Sequence, residues 1–346
     1  MFFRVLFCII LLLFVSGCNF IPQTTQYEVI YNGEKEQQQE PAHQRHKTYT
    51  IAVIPKVSGI PYFNAVEEGV YEAGKDLGVN VLYSGSLIAD WKQQEAIIEG
   101  YIEQKVDLIA VSANDPEKLG PVLKRARNQG IRVITWDSDA NNQYRELFIN
   151  MVDPEILGRH IMDALSSRVN ERGSYAIITG SKEAANLNEW IYWMNVQQQE
   201  NYPNMKLVDI VESNDDPKQA YKAATELLKQ HPELTGIIGS SSVGPPAAAQ
   251  AVKDINKSGE ITVVGLSTPN LMREYIKDGS AQVVTLWSPK KLGYLTVSIA
   301  KELLEGNKIS DNQYISNIGN VRVKEDTVIM GQPIDFTKEN IDQYDF

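Results

Sequence analysis

Residues 108–139 read LIAVSANDPEKLGPVLKRARNQGIRVITWDSD, and this stretch decides the fold class. It begins with the apolar run 108–111, which is typical of a buried β-strand. Apolar residues then recur at helical spacing and end at a glycine, at Leu119, Val122, Leu123, Ala126 and Gly130. Residues 131–136 are apolar again and predict a second strand. A strand, a helix and a strand in such a short stretch predict a βαβ unit with parallel strands.

The same alternation continues on both sides of this stretch. Upstream, apolar runs at 51–54 and 79–83 predict strands, and helical spacing follows each of them. Downstream, the rhythm restarts after Asp153-Pro154 and continues to Leu286. Two halves of similar layout predict an α/β fold of two Rossmann-like lobes with parallel sheets, joined by a multi-strand hinge. A ligand would then lie in the cleft between the lobes.

The chain divides into four predicted parts. These are a signal peptide (1–17), a lipidated cysteine with a flexible tether (18–47), an N-terminal lobe (48–151 plus 289–308) and a C-terminal lobe (152–288 plus 309–346). The helical period of Leu292–Leu304 favours packing of that segment on the first lobe. We therefore expect the chain to cross between the lobes near Met151–Asp153, Leu286–Pro289 and Lys308–Asp311.

The N-terminus indicates an exported lipoprotein. Residues 2–15 are almost continuously apolar but too short for a stable membrane span, which is typical of a signal peptide. They end in Val15-Ser16-Gly17-Cys18, a lipobox in which the Cys18 thiol takes the diacylglycerol with its palmitate-like chains. An ordinary signal peptide with a chance cysteine is the alternative. We expect a protein that is lipid-anchored at the cell membrane and faces the extracytoplasmic side.

The mature chain has little thiol chemistry and a long polar leader. Cys8 leaves with the signal peptide, so Cys18 is the one cysteine that remains, and no internal disulfide can form. Residues 19–47 are rich in glutamine and lack apolar periodicity. They predict a disordered tether with a reach of about 30 Å, long enough for the body to meet a membrane partner.

The patterns of a nucleic-acid-binding protein or a common enzyme are missing. The net charge is −11 and no basic stripe occurs, so nucleic acid is not an expected partner. Neither G-x-x-x-x-G-K-[ST] nor G-x-S-x-G is present. None of the histidines follows a predicted strand; they are His43, His46, His160 and His231. We therefore expect no metal, no cofactor and no catalysis. Asp137 and Asp139 are the candidates for a general acid–base pair, but carboxylates after a strand more often hold hydroxyls or cap a helix.

Ligands of open α/β sheets bind beyond the carboxyl ends of the strands, so the candidate site residues are sought there. In the first half these are Lys56, Tyr62, Phe63, Asn114, Asp137 and Asp139. In the second half they are Asn186, Asn188, Ser240, Ser242, Ser267 and Trp287. The set contains amides, hydroxyls, carboxylates, one amine and aromatic rings, which together suit a polyol. Without clustered arginines a carboxylate or phosphate is poorly held, so a neutral sugar of five or six carbons fits best.

These strand ends resemble type I periplasmic sugar-binding proteins, in particular the branch of rhamnose-binding and autoinducer-2-binding proteins. The resemblance runs from about Tyr49 to the last residue. It is carried by Ile54-Pro55-Lys56, Val111-Ser112-Ala113-Asn114-Asp115-Pro116, Thr135-Trp136-Asp137-Ser138-Asp139, Pro246-Ala247-Ala248-Ala249-Gln250-Ala251, Ser267-Thr268-Pro269-Asn270-Leu271-Met272, Leu286-Trp287 and the ending from Phe336 to Phe346. The resemblance implies a ligand held between two lobes and passed to an ABC permease, with no catalysis and no cofactor.

The resemblance also implies roles for individual residues. The autoinducer-2-binding members of this branch use a lysine and an aspartate that match Lys56 and Asp137. They use an Asp-Gln pair where this chain has Asn186 and Leu187, and a Pro-x-Ala where it has Ser240-Ser241-Ser242. Leu187 cannot replace an amide that bonds a hydroxyl, so autoinducer-2 is disfavoured. Asn186-x-Asn188-x-Trp190 is more similar to the rhamnose-type members.

Two functions remain after this comparison. The first is a monomeric, membrane-anchored lipoprotein that captures a rhamnose-like sugar or a pentose and delivers it to an ABC permease. The alternative is a binding protein that reports a sugar or autoinducer-2 to a membrane histidine kinase. The genes beside this one would separate the two, because a permease with its ATPase favours import and a kinase with a response regulator favours sensing.

Overall fold

The computed structural model describes residues 47–346. The signal peptide predicted for 1–17, the lipidation predicted at Cys18 and the tether up to residue 46 lie outside the described residues. Among the helices within 47–346, none combines the length and the apolar character needed to cross a bilayer.

The first lobe is built on an eight-stranded sheet. Its strands are β1 (Thr50–Ile54), β2 (Asn80–Tyr83), β3 (Leu108–Val111), β4 (Arg132–Trp136) and β5 (Phe148–Val152), together with β11 (Gln313–Ile315), β12 (Gly319–Lys324) and β13 (Thr327–Gly331) from the end of the chain. The spatial order is β11-β12-β13-β5-β4-β3-β1-β2. Six strands, from β13 to β2, run parallel, and β12 and β11 extend the edge antiparallel.

The second lobe is built on a six-stranded sheet of the same kind. Its strands are β6 (Gly173–Thr179), β7 (Met205–Glu212), β8 (Leu234–Gly239), β9 (Thr262–Leu266), β10 (Val283–Leu286) and β14 (Ile334–Phe336). The order is β14-β10-β9-β8-β6-β7, and β14 alone is antiparallel to its neighbour. Two α/β lobes with mostly parallel sheets confirm the fold class that the strand–helix alternation predicts.

Nine α-helices cover these sheets within the described part of the chain. They are α1 (Pro61–Leu77), α2 (Trp91–Glu103), α3 (Gly120–Asn128), α4 (Pro154–Ser166), α5 (Ala185–Asn201), α6 (Pro217–Gln230), α7 (Gly244–Asp254), α8 (Pro269–Asp278) and α9 (Pro289–Leu304). Local sequence sets several of their starts. Asp90 and Asp216 accept hydrogen bonds from backbone amides of α2 and α6, and a proline stands at the first position of five helices, where it costs no hydrogen bond.

The helix α9 packs closely against α1 of the first lobe. Two glycines permit the close approach. A Cβ added at Gly69 would lie 1.9 Å from the carbonyl oxygen of Lys290, and one added at Gly293 would lie 2.1 Å from that of Val66. A side chain at either position would clash with the neighbouring helix. Because glycine has none, the two backbones can come into direct contact.

The structure corrects one boundary. The sequence predicts that 309–346 belongs as a whole to the second lobe, with a crossing near Lys308–Asp311. Instead, β11 to β13 extend the first sheet through the parallel pairing of β13 with β5. The chain then crosses between Gly331 and Ile334, and β14 joins the second sheet. Short strands with one buried face carry no signal for the sheet edge that they join, because strand pairing depends on tertiary contacts.

Candidate ligand-binding site

A cavity lies where strand ends of the first sheet meet strand ends of the second. The first sheet contributes the segments that follow β1 and β4, and the second contributes those that follow β6, β7, β8, β9 and β10. Its lining consists of Lys56, Ile60, Tyr62, Phe63, Asp137, Asn186, Leu187, Trp190, Asp215, Ser240, Ser241, Ser242, Leu266, Leu286 and Trp287. This is the position expected for a ligand of an open α/β sheet.

Most of the residues predicted from the sequence come together in this cavity. They are Lys56, Tyr62, Phe63, Asp137, Asn186, Ser240, Ser242 and Trp287. The six positions matched through the family resemblance, with Leu187 included, all lie in the lining. Direct contact of each side chain with a ligand stays a prediction.

Two predicted residues, Asn114 and Ser267, lie outside the lining and form hydrogen bonds to the loops that build it. The Asn114 side-chain amide donates a 3.0 Å hydrogen bond to the carbonyl oxygen of Lys56, so it fixes the segment after β1. The Ser267 hydroxyl donates a 2.7 Å hydrogen bond to the carbonyl oxygen of Ser242 and fixes the segment after β8. Neither residue lies in the lining, and both position residues that do.

Two other predicted residues face away from the cavity. Asp139 forms a bidentate pair with Arg145 and accepts a hydrogen bond from Thr135, so its carboxylate is engaged in the first lobe and is not placed as an acid–base partner of Asp137. Asn188 is exposed and donates a 2.7 Å hydrogen bond to the carbonyl oxygen of Lys182. In both cases a partner within six residues along the chain binds the polar group, and the strand-end pattern does not indicate this.

Trp91, an aromatic residue of the first lobe, lies outside the lining. It opens α2, and the ammonium groups of Lys92 and Lys118 each lie 5.6 Å from its ring centroid. Trp91 is therefore a half-buried helix residue and not part of the cavity wall.

A buried ion pair forms the polar centre of the cavity. The Nζ of Lys56, after β1, lies 3.6 Å from Oδ2 of Asp137, after β4, and 3.5 Å from Oδ1 of Asn186 in the second lobe. Lys56 is 5% exposed and Asp137 is 3% exposed. Both distances are long for a charge-assisted hydrogen bond, so the ammonium retains donors for shorter bonds to a ligand.

Asp137 is held in place by its backbone and by two hydroxyls. Its φ of 60° lies in the left-handed region, which aspartate adopts more readily than most residues with a side chain. The Ser112 hydroxyl donates to Oδ2 at 2.7 Å and the Tyr62 hydroxyl donates to Oδ1 at 3.1 Å. The carboxylate therefore has a fixed direction before any ligand arrives.

Aromatic rings form a continuous wall from one lobe to the other. Trp287, at the crossing after β10, packs edge-on against Tyr62 and against Trp190 of α5, with centroid distances of 6.2 and 5.9 Å. Burial raises the pKa of the Tyr62 hydroxyl well above its usual range, and the Asp137 carboxylate adds to this shift. Tyr62 therefore stays protonated and acts as a hydrogen-bond donor. Such a wall suits the apolar C–H face of a sugar ring.

The second-lobe wall carries polar atoms without partners. Within residues 47–346, the buried Nδ2 of Asn186 and Oγ of Ser240 are among the side-chain atoms that form no hydrogen bond. A buried polar atom left in this state costs roughly 1–3 kcal/mol. Both atoms belong to the lining and would gain partners from the hydroxyls of a polar ligand.

Sequence reasoning missed Asp215, the second carboxylate of the lining. It follows β7, so the strand-end rule could have found it, but the same turn leads directly into the helix start at Asp216-Pro217. All of the lining residues belong to the described part of the chain. Lys56 is the one cation among them, and none of them is an arginine. One ammonium facing two carboxylates disfavours an anionic ligand and suits a neutral polyol.

Comparison with known proteins places these observations in context. The family described as "Periplasmic binding protein domain" matches residues 51–308. An ABC transporter solute-binding protein from Clostridium phytofermentas, solved with bound L-rhamnose, is 28% identical and superposes with a TM-score of 0.81 over 86% of this chain and 98% of that one. LsrB from Clostridium saccharobutylicum, solved in complex with AI-2, is 26% identical with a TM-score of 0.81, over 86% and 100% of the two chains. The D-ribose/D-allose-binding protein of Pseudomonas aeruginosa is 23% identical over 264 residues, which is 74% of this chain and 82% of that protein.

Proposed function

Because the chain belongs to the periplasmic binding protein domain family, we propose that it captures a neutral sugar outside the cytoplasmic membrane and delivers it to an ABC permease. Its similar relatives are sugar-binding solute-binding proteins of ABC transporters. They are binding proteins and not enzymes, and the engagement of Asp139 by Arg145 supports the same role for this chain.

The observation that carries the proposal is the set of incompletely bonded polar groups in the cavity. Lys56 has only long contacts, and Asn186 Nδ2 and Ser240 Oγ have none. A sugar hydroxyl both donates and accepts, so adjacent hydroxyls can satisfy all of these groups at once. Micromolar affinity needs about −8 kcal/mol, which a few hydrogen bonds to charged groups and one stacked ring reach after the cost of binding is offset.

The proposed sugar is a 6-deoxyhexose similar to rhamnose, or a pentose. The relatives solved or described with L-rhamnose and with D-ribose support this choice. Against AI-2 stands Leu187, an apolar side chain in the lining at a position where the signal-binding proteins use an amide. A ligand hydroxyl facing Leu187 would lose its partner, at a cost of roughly 1–3 kcal/mol.

The route to the permease rests on two further proposals. Lipidation of Cys18 would keep the protein at the outer face of the membrane, where the tether lets it reach the transporter. Closure of the lobes would mark the loaded state, because contacts such as that of Lys118 with Glu183, 2.9 Å apart across the two lobes, form only when the lobes meet.

Isothermal titration calorimetry on the full-length protein, purified in detergent, tests which class of ligand binds. The panel contains L-rhamnose, D-ribose, D-xylose, AI-2, an amino acid and a sugar phosphate. We expect L-rhamnose or a pentose to bind with micromolar affinity and the amino acid and the sugar phosphate not to bind. Binding of an anionic ligand alone would overturn the ligand class. Loss of labelled-sugar uptake on deletion of the gene tests delivery, and unchanged uptake together with sugar binding would favour sensing.

A further inference from the structure

Asp215 is a buried carboxylate of the cavity that no sequence motif indicates. It follows β7, which is the edge strand of the second sheet, and it is 6% exposed. Its neighbours Asn214 and Asp216 are exposed and half-buried, so Asp215 is the one member of this polar turn whose side chain enters the cavity. The Asp215 carboxylate thus lines the cavity from the end of β7, a strand that is followed by none of the site residues predicted from the sequence.

The backbone around Asp215 is shaped to bring its side chain inward. Asn214 and Asp215 have φ values of 51° and 54°, so two consecutive residues lie in the left-handed region, which asparagine and aspartate adopt more readily than other residues with side chains. The turn is held at its base, where the amide and the hydroxyl of Ser213 each donate a 2.9 Å hydrogen bond to the carbonyl oxygen of Thr179. The turn therefore reverses the chain directly after β7 and directs the Asp215 side chain into the cavity.

A neighbouring glycine leaves room for the carboxylate. A Cβ added at Gly180, directly after β6, would lie 2.2 Å from Oδ1 of Asp215. Any side chain at residue 180 would therefore displace the carboxylate from its present position. The left-handed turn and the glycine are independent features, and both allow the present placement of Asp215.

The charges around Asp215 favour a hydroxyl as its partner. Burial raises the pKa of the Asp215 carboxyl, while the ammonium of Lys56 and the hydroxyl of Ser241 oppose the shift, and the carboxylates of Asp137 and Glu212 add to it. Lys56 faces it across the cavity and is shared with Asp137. A buried carboxylate in this setting needs further hydrogen-bond donors, and a sugar offers hydroxyl groups for this purpose.

We propose that Asp215 is a ligand-binding residue that determines specificity, and that its carboxylate accepts a hydrogen bond from one sugar hydroxyl facing the second lobe. This inference rests on the proposed function. The unpartnered Nδ2 of Asn186 lines the same wall, and an amide can donate to the oxygen of that hydroxyl while the hydroxyl donates to Asp215. The pair therefore selects sugars that carry a hydroxyl at this position over those that lack it.

Asp215→Asn and Asp216→Asn form a matched pair for the test, because both remove one charge at adjacent positions. Asp216 lies outside the lining and caps α6 by accepting from the amide of Gln219 at 2.8 Å, a role that asparagine also fills. Titration of the full-length protein with L-rhamnose and D-ribose gives the dissociation constants. We expect Asp215→Asn to weaken the better sugar by about tenfold or more and Asp216→Asn to change it by less than about twofold.

Monodeoxy derivatives of the same sugar separate a direct contact from a structural effect. For one derivative, we expect a loss of about tenfold in the wild-type protein and of less than about threefold in Asp215→Asn, since the lost hydroxyl and the lost carboxylate are partners. If Asp215→Asn does not fold, Asp215→Ser carries the same test. Unchanged or tighter sugar binding by the variant, or an equal deoxy penalty in both proteins, would overturn the inference. Failure of both sugars to bind the wild-type protein would instead overturn the proposed function, and this inference with it.

Discussion

The indole Nε1 of Trp287 donates a 3.1 Å hydrogen bond to the hydroxyl of Tyr62. Tyr62 belongs to the first lobe, and Trp287 lies at a crossing between the lobes, directly after β10. The same Tyr62 hydroxyl donates to Asp137 at 3.1 Å, so an indole, a phenol and a carboxylate form one buried chain. This chain couples the crossing to the polar centre of the cavity.

Tyr62→Phe removes the middle of that chain. It leaves the indole N–H of Trp287 and one oxygen of Asp137 without this partner, so we expect the free energy of unfolding to fall by about 1–3 kcal/mol. Urea denaturation measures the change. Tyr192→Phe is the control, since Tyr192 is 59% exposed, and it should alter stability by less than about 0.5 kcal/mol. Equal stability of the two variants would show that the chain contributes nothing.

Trp287 should report ligand binding by its fluorescence. The ring lines the cavity and packs against Tyr62 and Trp190, so a bound sugar changes its environment. We expect a sugar-dependent fluorescence change in the wild-type protein and in Trp91→Phe, and the loss of most of that change in Trp287→Phe. A Trp287→Phe variant that keeps the full signal would contradict the contact.

His160 should make stability depend on pH. Its Nε2 lies 2.7 Å from Oδ1 of Asp335, and this hydrogen bond raises the pKa of His160 above its usual value. A raised pKa in the folded state means that the charged pair stabilises the fold below the unfolded pKa of about 6.5 and that this stabilisation is lost as the pH rises through the folded pKa.

The pH dependence is measured as melting temperature between pH 5 and pH 9. We expect the gap between the wild-type protein and His160→Asn to be largest at pH 5 and to shrink toward pH 9. His231→Asn is the control, since His231 lies 3.4 Å from Glu233 near the end of α6, outside this pair. A gap that is constant with pH, or that grows with it, would contradict the assignment.

The ion pair of Lys118 with Glu183 should have a small, salt-dependent effect on affinity. It joins the lobes at an exposed position, where ion pairs contribute little and are screened. We expect Glu183→Gln to weaken sugar binding by less than about threefold at low salt and not at all at 1 M salt. Glu226→Gln, which breaks the exposed pair within α6, should have no effect at either salt concentration. A tenfold loss that persists at high salt would give Glu183 a direct role in the site.

Much of the fold follows from local pattern. The strand Leu108–Val111 has the bounds that its apolar run predicts, because buried parallel strands are apolar on both faces. The edge strands β11 to β13 could not be assigned to the first sheet, since pairing at an edge depends on contacts distant in sequence.

The site was predictable where a side chain directly follows a strand, and less so elsewhere. Asn186 and Asn188 share one sequence pattern, but two steps along a helix rotate a side chain by about 200°, so Asn186 enters the cavity and Asn188 faces solvent. Asp137 and Asp139 likewise differ because Arg145 captures the second. Asp215 follows β7 and was within reach of the strand-end rule, but its side chain could not be told from that of Asp216, which caps α6 instead.

The central claim is that Lys56, with Asp137, holds a neutral sugar in the cavity. Titration of L-rhamnose and D-ribose against the wild-type protein, Lys56→Ala and the exposed control Lys182→Ala, with melting temperatures recorded in parallel, tests it most directly. We predict that Lys56→Ala weakens the better sugar by about tenfold or more, since hydrogen bonds to a charged group are worth roughly 1.5–3 kcal/mol, while Lys182→Ala binds like the wild-type protein. The melting temperature of Lys56→Ala should fall, because Asp137 loses its buried ion-pair partner, but the variant should stay folded at the temperature of the titration. If folded Lys56→Ala binds the sugar as tightly as the wild-type protein does, Lys56 does not hold the sugar.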